Sequence, residues 1–143
     1  MIDSLVVATD GSESVERAVD VAVDLADRFE AAVHALYVID KSEIDSAPES
    51  VEQELRSALE ERGEAALATV EERASGPVET VVRTGRPAAE ICQYARETDV
   101  DVVATGTRGR HGENRFLIGS VAERVVRTCP VPVLTVRQLT GEE

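Results

Sequence analysis

At 143 residues the chain reads as one domain, 1–143, and a domain of this size buries roughly 70% of the surface its unfolded form exposes. Its formal net charge of −13, from 28 acidic against 15 basic residues, argues against nucleic acid and anionic membranes as partners, because polyanions are held by clustered Lys and Arg. The 43% hydrophobic fraction, with no Trp and only 3% aromatics, predicts a lean aliphatic core.

In chain order, residues 5–9 are a continuous apolar strand, and Asp10-Gly11-Ser12 is a turn. From Ser14 to about Ala31, Val15, Ala18, Val19, Ala22, Val23, Ala26 and Phe29 recur at helical spacing with acidic residues between them. Residues 32–39 form a second strand, and residues 40–50, with Pro48, a polar connection expected to be mobile. Pro48 or Ser50 opens a long charged helix to about Ala74, with Val51, Leu55, Leu59, Ala66, Leu67 and Val70 on its inner face. Ser75-Gly76-Pro77 stops it. Residues 78–84 alternate as a strand, Gly85-Arg86-Pro87 turns, and Pro87 suits the first turn of a helix reaching about Thr98. A fourth strand over 100–105, a loop to Ile118, a helix over 119–128 and a strand over 131–137 complete the chain.

Five strands alternating with four helices predict an α/β fold: a five-stranded parallel sheet with helices on both faces, joined by right-handed crossovers. Ligands of such sheets bind outside the carboxyl ends of the strands, where strand order reverses. Asp10 and Gly106 would then face each other across one crevice.

The loop carries the main chemical signal: Gly106-Thr107-Arg108-Gly109, then nine residues, then Gly119-Ser120, between a strand and a helix. Glycines let backbone approach an anion closely and adopt positive φ, and a helix start aims unpaired N–H groups and its positive dipole end at the same ligand. The combination predicts a bound nucleotide, held without the Gly-Lys-Ser/Thr of a Walker A loop. Arg108, Arg110, His111 and Arg115 crowd the same loop, either clamping phosphate or pairing with surface carboxylates. His34, in a strand, reads as a structural histidine.

Cys92 and Cys129 make neither a CxxC nor a zinc spacing and read as buried reduced thiols, which with the absence of a leader or a long apolar run points to the cytoplasm. An acidic surface with Lys41 as the only lysine reads as adaptation to concentrated salt, where the Debye length falls to about 3 Å at 1 M; the plainer alternative is dispersal of a soluble protein.

Five segments together carry a family likeness. They are the opening strand through Thr9-Asp10-Gly11-Ser12, the strand ending Val38-Ile39-Asp40, the Thr84-Gly85-Arg86-Pro87 turn, the glycine pattern, and Cys129-Pro130-Val131-Pro132-Val133-Leu134-Thr135-Val136. Over nearly its whole length the chain resembles the universal stress protein family, of the ATP-binding subclass. The resemblance implies a Rossmann-like fold of the adenine nucleotide alpha hydrolase kind and a homodimeric module of stress response. It implies ATP, or ADP or AMP, as ligand, with Asp10 at the ribose and near phosphates or Mg²⁺. Val38 would offer its backbone to the adenine edge, with Ala8 and Thr9 as pocket wall. Gly106, Gly109, Gly119 and Ser120 would contact ribose and phosphates, Val121 would present a free N–H, and Arg108 and Arg110 lie within the same loop.

On residues alone Asp10 also suits an Asx turn, and Ser120 a helix cap. The resemblance further implies that the last strand, with Val131 and Val136 at its ends, pairs with its symmetry mate, which would hide an apolar edge. No nucleophile with a paired base, Gly-x-Ser-x-Gly elbow or metal-ligand cluster appears, so no catalytic residue is assigned. The favoured reading is a non-enzymatic ATP-binding regulator of an unnamed effector protein. The alternatives are a slow Mg-dependent ATPase or nucleotidyl transferase, and a dimeric interaction protein without nucleotide.

Overall fold

A computed structural model describes residues 2–107 and 119–139 of the chain. Its five strands, β1 (Ser4–Ala8), β2 (Ala32–Asp40), β3 (Val78–Gly85), β4 (Val102–Gly106) and β5 (Val133–Val136), form one parallel sheet in the order β3-β2-β1-β4-β5. The chain runs outward from β1 through β2 to β3, then returns to add β4 and β5 on the other side. Strand order therefore reverses between β1 and β4, and the expected fold is the observed one.

Alternation along the strands sends side chains to two different cores. Leu5 and Val7 of β1 and Val33, Ala35, Tyr37 and Ile39 of β2 pack under α1 (Glu16–Phe29), and also under the long helix that follows β2. Val6, Ala8 and Leu36 face the other way, against Ala88, Ile91, Cys92, Tyr94 and Ala95 of a helix that opens at Pro87. Burying each such aliphatic side chain is worth about 1.5–3 kcal/mol, and period-two alternation fixes which face receives it.

The helix boundaries follow local chemistry. A 3₁₀ turn, Glu13–Val15, precedes α1, which ends where Glu30 takes the left-handed conformation (φ 54°) and Ala31 N–H closes back on Ala26 O at 2.8 Å. The polar connection after β2 differs from expectation. Residues 40–50 contain α2 (Lys41–Asp45), capped by the Asp40 side chain, and a 3₁₀ turn Glu49–Val51. The cap supplies what low apolar content concealed, an acceptor for an unpaired first-turn N–H.

α3 (Glu52–Arg73) follows, with Leu59, Ala66, Leu67 and Val70 buried as expected and Gly63 buried beside them. Val51 is 39% exposed instead of inward, because it belongs to the 3₁₀ turn and lies off the helical face. Phe29, the last residue of α1, is 48% exposed instead of inward. α4 (Pro87–Thr98) has Pro at its start, and α5 (Ser120–Thr128) lies between β4 and β5. β4 and β5 begin two residues later than the expected 100 and 131, at Val102 and Val133. Among the described residues no helix is long and apolar enough to cross a membrane.

Candidate functional site

At the carboxyl end of the sheet, β1 and β4 run side by side in the register Val7↔Ala104, so the residues just beyond them, Asp10 and Gly106, share one opening. The cleft there holds about 230 Å³ and passes from β2 and α4 across β1 to β4 and α5. Of the expected site residues, Ala8, Thr9, Asp10, Val38, Gly106, Gly119, Ser120 and Val121 all line it. Arg108, Gly109 and Arg110, with His111 and Arg115, lie outside the described residues.

Asp10 leaves β1 as the first residue of an Asx turn. Its Oδ1 accepts from Ser12 N–H at 2.9 Å and Ser12 Oγ at 2.6 Å, while Thr9 Oγ1 accepts from Gly11 N–H at 3.1 Å. The Asx turn that the residues alone suggested is therefore formed by one carboxylate oxygen, and Asp10 also lines the cleft. Gly11 has the positive φ, 78°, the only one among the described glycines. Of the loop pattern, Gly119 takes an ordinary φ of −65°.

Gly106 is needed for another kind of closeness. A Cβ there would stand 2.9 Å from the backbone oxygen of Ser14, so the missing side chain admits the 3₁₀ turn against β4. Gly119 closes the far side of the loop: its N–H donates to Thr107 O at 2.5 Å, and it is the N-cap of α5. Ser120 is accordingly the first helical residue and not the cap. The first bond within α5 is Glu123 N–H to Gly119 O at 3.0 Å. The N–H groups of Ser120, Val121 and Ala122 therefore have no acceptor inside the helix, and all three residues line the cleft.

The opposite end of the cleft is apolar, walled by Leu36, Val38, Pro87 and Ile91. Asp40 and Glu43 stand on its rim and were not anticipated. A signal for Asp40 existed, because Asp40-Lys41-Ser42 repeats the Asp-x-Ser spacing of Asp10-Gly11-Ser12 at a second strand exit. The geometry repeats too: Asp40 Oδ1 accepts from Ser42 N–H at 3.0 Å and Ser42 Oγ at 2.7 Å. Among the described lining residues there are three carboxylates and no Lys or Arg. An anion at this end of the sheet would be met there by helix N–H groups.

Among the described residues, no three His, Cys, Asp or Glu side chains gather where they could hold a metal ion. The donor set fits Mg²⁺ only as an ion carried chiefly by phosphate oxygens and water, with Asp10 adding a single carboxylate, a common pattern for this cation. It fits a nucleotide better, with an apolar slot, a carboxylate at mid-cleft and free N–H donors at the far end. His34, by contrast, lies in the body of the sheet, where its Nδ1 shares a 2.5 Å hydrogen bond with Tyr94 OH and lies 3.1 Å from Glu79 Oε2. It is a structural histidine, as expected.

A doubly wound parallel sheet with its opening at the point of strand reversal places the chain in the class of α/β proteins whose ligands, where they have them, bind at that point. The chain belongs to the universal stress protein family, whose model matches residues 1–137. A universal stress protein of Methanocaldococcus jannaschii is 38% identical over 138 residues, covering 94% of this chain and 81% of the relative. The solved structure of the universal stress protein UspA from Lactobacillus plantarum is 27% identical, with a TM-score of 0.79 over 95% of this chain and 98% of that one. A further universal stress protein, solved in complex with cAMP, shares the fold at 23% identity and a TM-score of 0.72, covering 96% of this chain and 98% of its own.

Proposed function

We propose that this universal stress protein is a regulatory module that binds an adenine nucleotide, ATP or its di- or monophosphate, in the cleft between β1 and β4. The observation that carries the reading is the meeting of the Asp10 carboxylate with the three free N–H groups of Ser120, Val121 and Ala122 in one cleft. The base occupies the apolar slot of Leu36, Val38, Pro87 and Ile91, with the backbone of Val38 at its edge. Asp10 accepts from ribose hydroxyls, for which a carboxylate is a strong acceptor. The phosphates lie at Gly106, Gly119, Ser120 and Val121, with Gly109, Arg108 and Arg110 from the same loop, and Mg²⁺ accompanies them. That a family member was solved with cAMP supports an adenine nucleotide.

A dimer through β5 belongs to the same reading. β5 is a sheet edge with Val133, Leu134 and Thr135 only half-buried, whereas the β3 edge carries Glu79 and Arg83. Charges protect an edge from pairing and an aliphatic edge invites it, so two copies join β5 to β5 about a two-fold axis. The protein acts in the cytoplasm as one domain, its acidic surface suited to concentrated salt, and its nucleotide state selects an effector protein. Turnover is not part of this reading, which assigns no catalytic residue.

Calorimetric titration with ATP and Mg²⁺ at several salt concentrations tests the proposal, joined to mass spectrometry of gently purified protein for carried nucleotide. Saturable binding with intact ATP recovered is expected. No heat at any salt concentration, in protein shown to be free of nucleotide, would remove it in favour of a dimeric interaction protein. Released ADP or AMP would favour a slow ATPase or nucleotidyl transferase.

A further inference from the structure

Cys92 and Cys129 are widely separated in sequence, yet the fold brings them into one neighbourhood on the α4/α5 side of the sheet. Cys92 is buried in the middle of α4, at 2% exposure, within the cluster of Val6, Ile91, Ala95, Val103 and Val125. Cys129 caps the end of α5, donating its N–H to Val125 O at 2.9 Å, and its side chain packs against that same cluster. Cys92 Sγ lies 3.5 Å from Thr128 Oγ1, on the residue directly before Cys129. Both thiols are free, Cys92 buried and Cys129 half-buried.

Burial pushes the Cys129 thiol above its usual pKa; the Val131 N–H and the Arg96 guanidinium pull against this, and Cys92 adds to it.

We propose that Cys92 and Cys129 form an oxidisable pair that closes to an intramolecular disulfide when the protein meets a peroxide, fastening the end of α5 to the middle of α4. The half-exposed Cys129 reacts first. Its thiolate attacks one peroxide oxygen, an S–O bond forms as the O–O bond breaks, and the departing hydroxide takes a proton to become water. The Cys92 thiolate then attacks the sulfenic sulfur, forming the S–S bond while the S–O bond breaks and a second water leaves. Overall, two thiols lose two electrons and two protons, and one hydrogen peroxide becomes two waters.

The raised pKa of Cys129 keeps its thiolate fraction small at neutral pH, so closure is slow there and speeds up as pH rises. The bond would also join two walls of the cleft, because Ile91 precedes Cys92 and α5 begins with Ser120, Val121 and Ala122.

The test treats reduced full-length protein with hydrogen peroxide, alkylates remaining thiols and measures intact mass. The expected product is a monomer lighter by two hydrogen atoms, resistant to alkylation and returned to its starting mass by dithiothreitol. Closing a loop of roughly 40 residues should raise its thermal midpoint by on the order of 10 °C over the reduced form. Cys92→Ala should instead accumulate a sulfenic acid at Cys129 that dimedone traps. Cys129→Ser, at a half-exposed position where the fold tolerates a hydroxyl, should lose disulfide formation while its midpoint stays near that of the reduced protein. Products heavier by oxygen atoms alone, disulfide-linked pairs of chains, or thiols still open to alkylation would each overturn the proposal.

Discussion

The two faces of the sheet are built to opposite ends. Under α1 and α3 the sheet is covered by a run of aliphatic side chains, closed by the approach of α3 to the Tyr37 ring, with a separate opening of about 180 Å³ between the two helices beside Gly11. A Cβ on Gly63 would stand 2.7 Å from Tyr37 Cδ1, and the ring is fully buried. Under α4 and α5 the apolar layer is interrupted. At one end it opens into the cleft, and at the β3 edge it gives way to a polar group around Tyr94. The Tyr37 core lies on one face and the proposed nucleotide site on the other, and the same strands serve both because alternate residues point to opposite sides.

The largest test of this division is Tyr37→Ala on the covered face. It should cost about 3–5 kcal/mol in urea unfolding, the usual loss for truncating a buried aromatic, while the folded fraction keeps its nucleotide affinity. Should affinity fall along with stability, the two faces would not be separable. Gly63→Ala presses on the same ring from the helix side, and overpacking of this kind costs about 1–3 kcal/mol by the same measurement.

On the open face Asp10→Asn should do the reverse. The amide oxygen can still hold Ser12, but the charged acceptor for the ribose is gone, so nucleotide affinity should fall roughly 10- to 100-fold by calorimetry with little change in unfolding midpoint. A drop in stability comparable to Tyr37→Ala would show that Asp10 serves the turn alone.

A smaller effect is expected at the β3 edge. Arg83 sits 5.0 Å over the Tyr94 ring and donates to both oxygens of Glu97 at 2.8 and 3.1 Å, holding the Glu97 carboxyl below its usual pKa. Arg83→Ala should cost on the order of 1 kcal/mol, mostly from the stacked cation, because the partner carboxylate is solvated.

The mildest effect is one of pH. Asp101 accepts from Asp3 N–H at 2.7 Å and Ser4 N–H at 3.1 Å, and these bonds hold its carboxyl below the ordinary aspartate value of about 3.9. A lowered folded-state pKa means the unfolded chain takes up the proton first. The stabilisation is therefore present above about pH 4 and is lost as pH falls through the folded value. Asp101→Asn should flatten this part of the acid limb of thermal stability and leave neutral nucleotide binding unaltered.

Much of the division was legible beforehand, and the exceptions have physical causes. The inward residues of α1 follow from period 3.6, and the start of α4 from Pro87. Phe29 and Val51 also fit an apolar periodicity, yet one is the last residue of its helix and the other precedes its helix, and periodicity carries no information about where the opposing surface ends. The α2 segment was hidden because a five-residue helix held by one Asp side chain has too little apolar pattern to register. For the lining of the cleft, Asp10, Gly106, Gly119 and Ser120 were readable, whereas Glu43 and Pro87 reach it only through the packing of α2 and α4 around β2.

By itself, the sequence determined the alternation of strand and helix, the parallel sheet, the family, and the strand exit and helix start that bracket the cleft, because these rest on local spacing and backbone chemistry. The tertiary structure decided what depends on distance in space. It set Asp40 in one cleft with Asp10, gave Gly106 to the carbonyl of Ser14 and Gly63 to the Tyr37 ring, and brought Cys129 to the cluster that holds Cys92. No local pattern records such meetings, since each is fixed by how two separately folded elements come to share one volume.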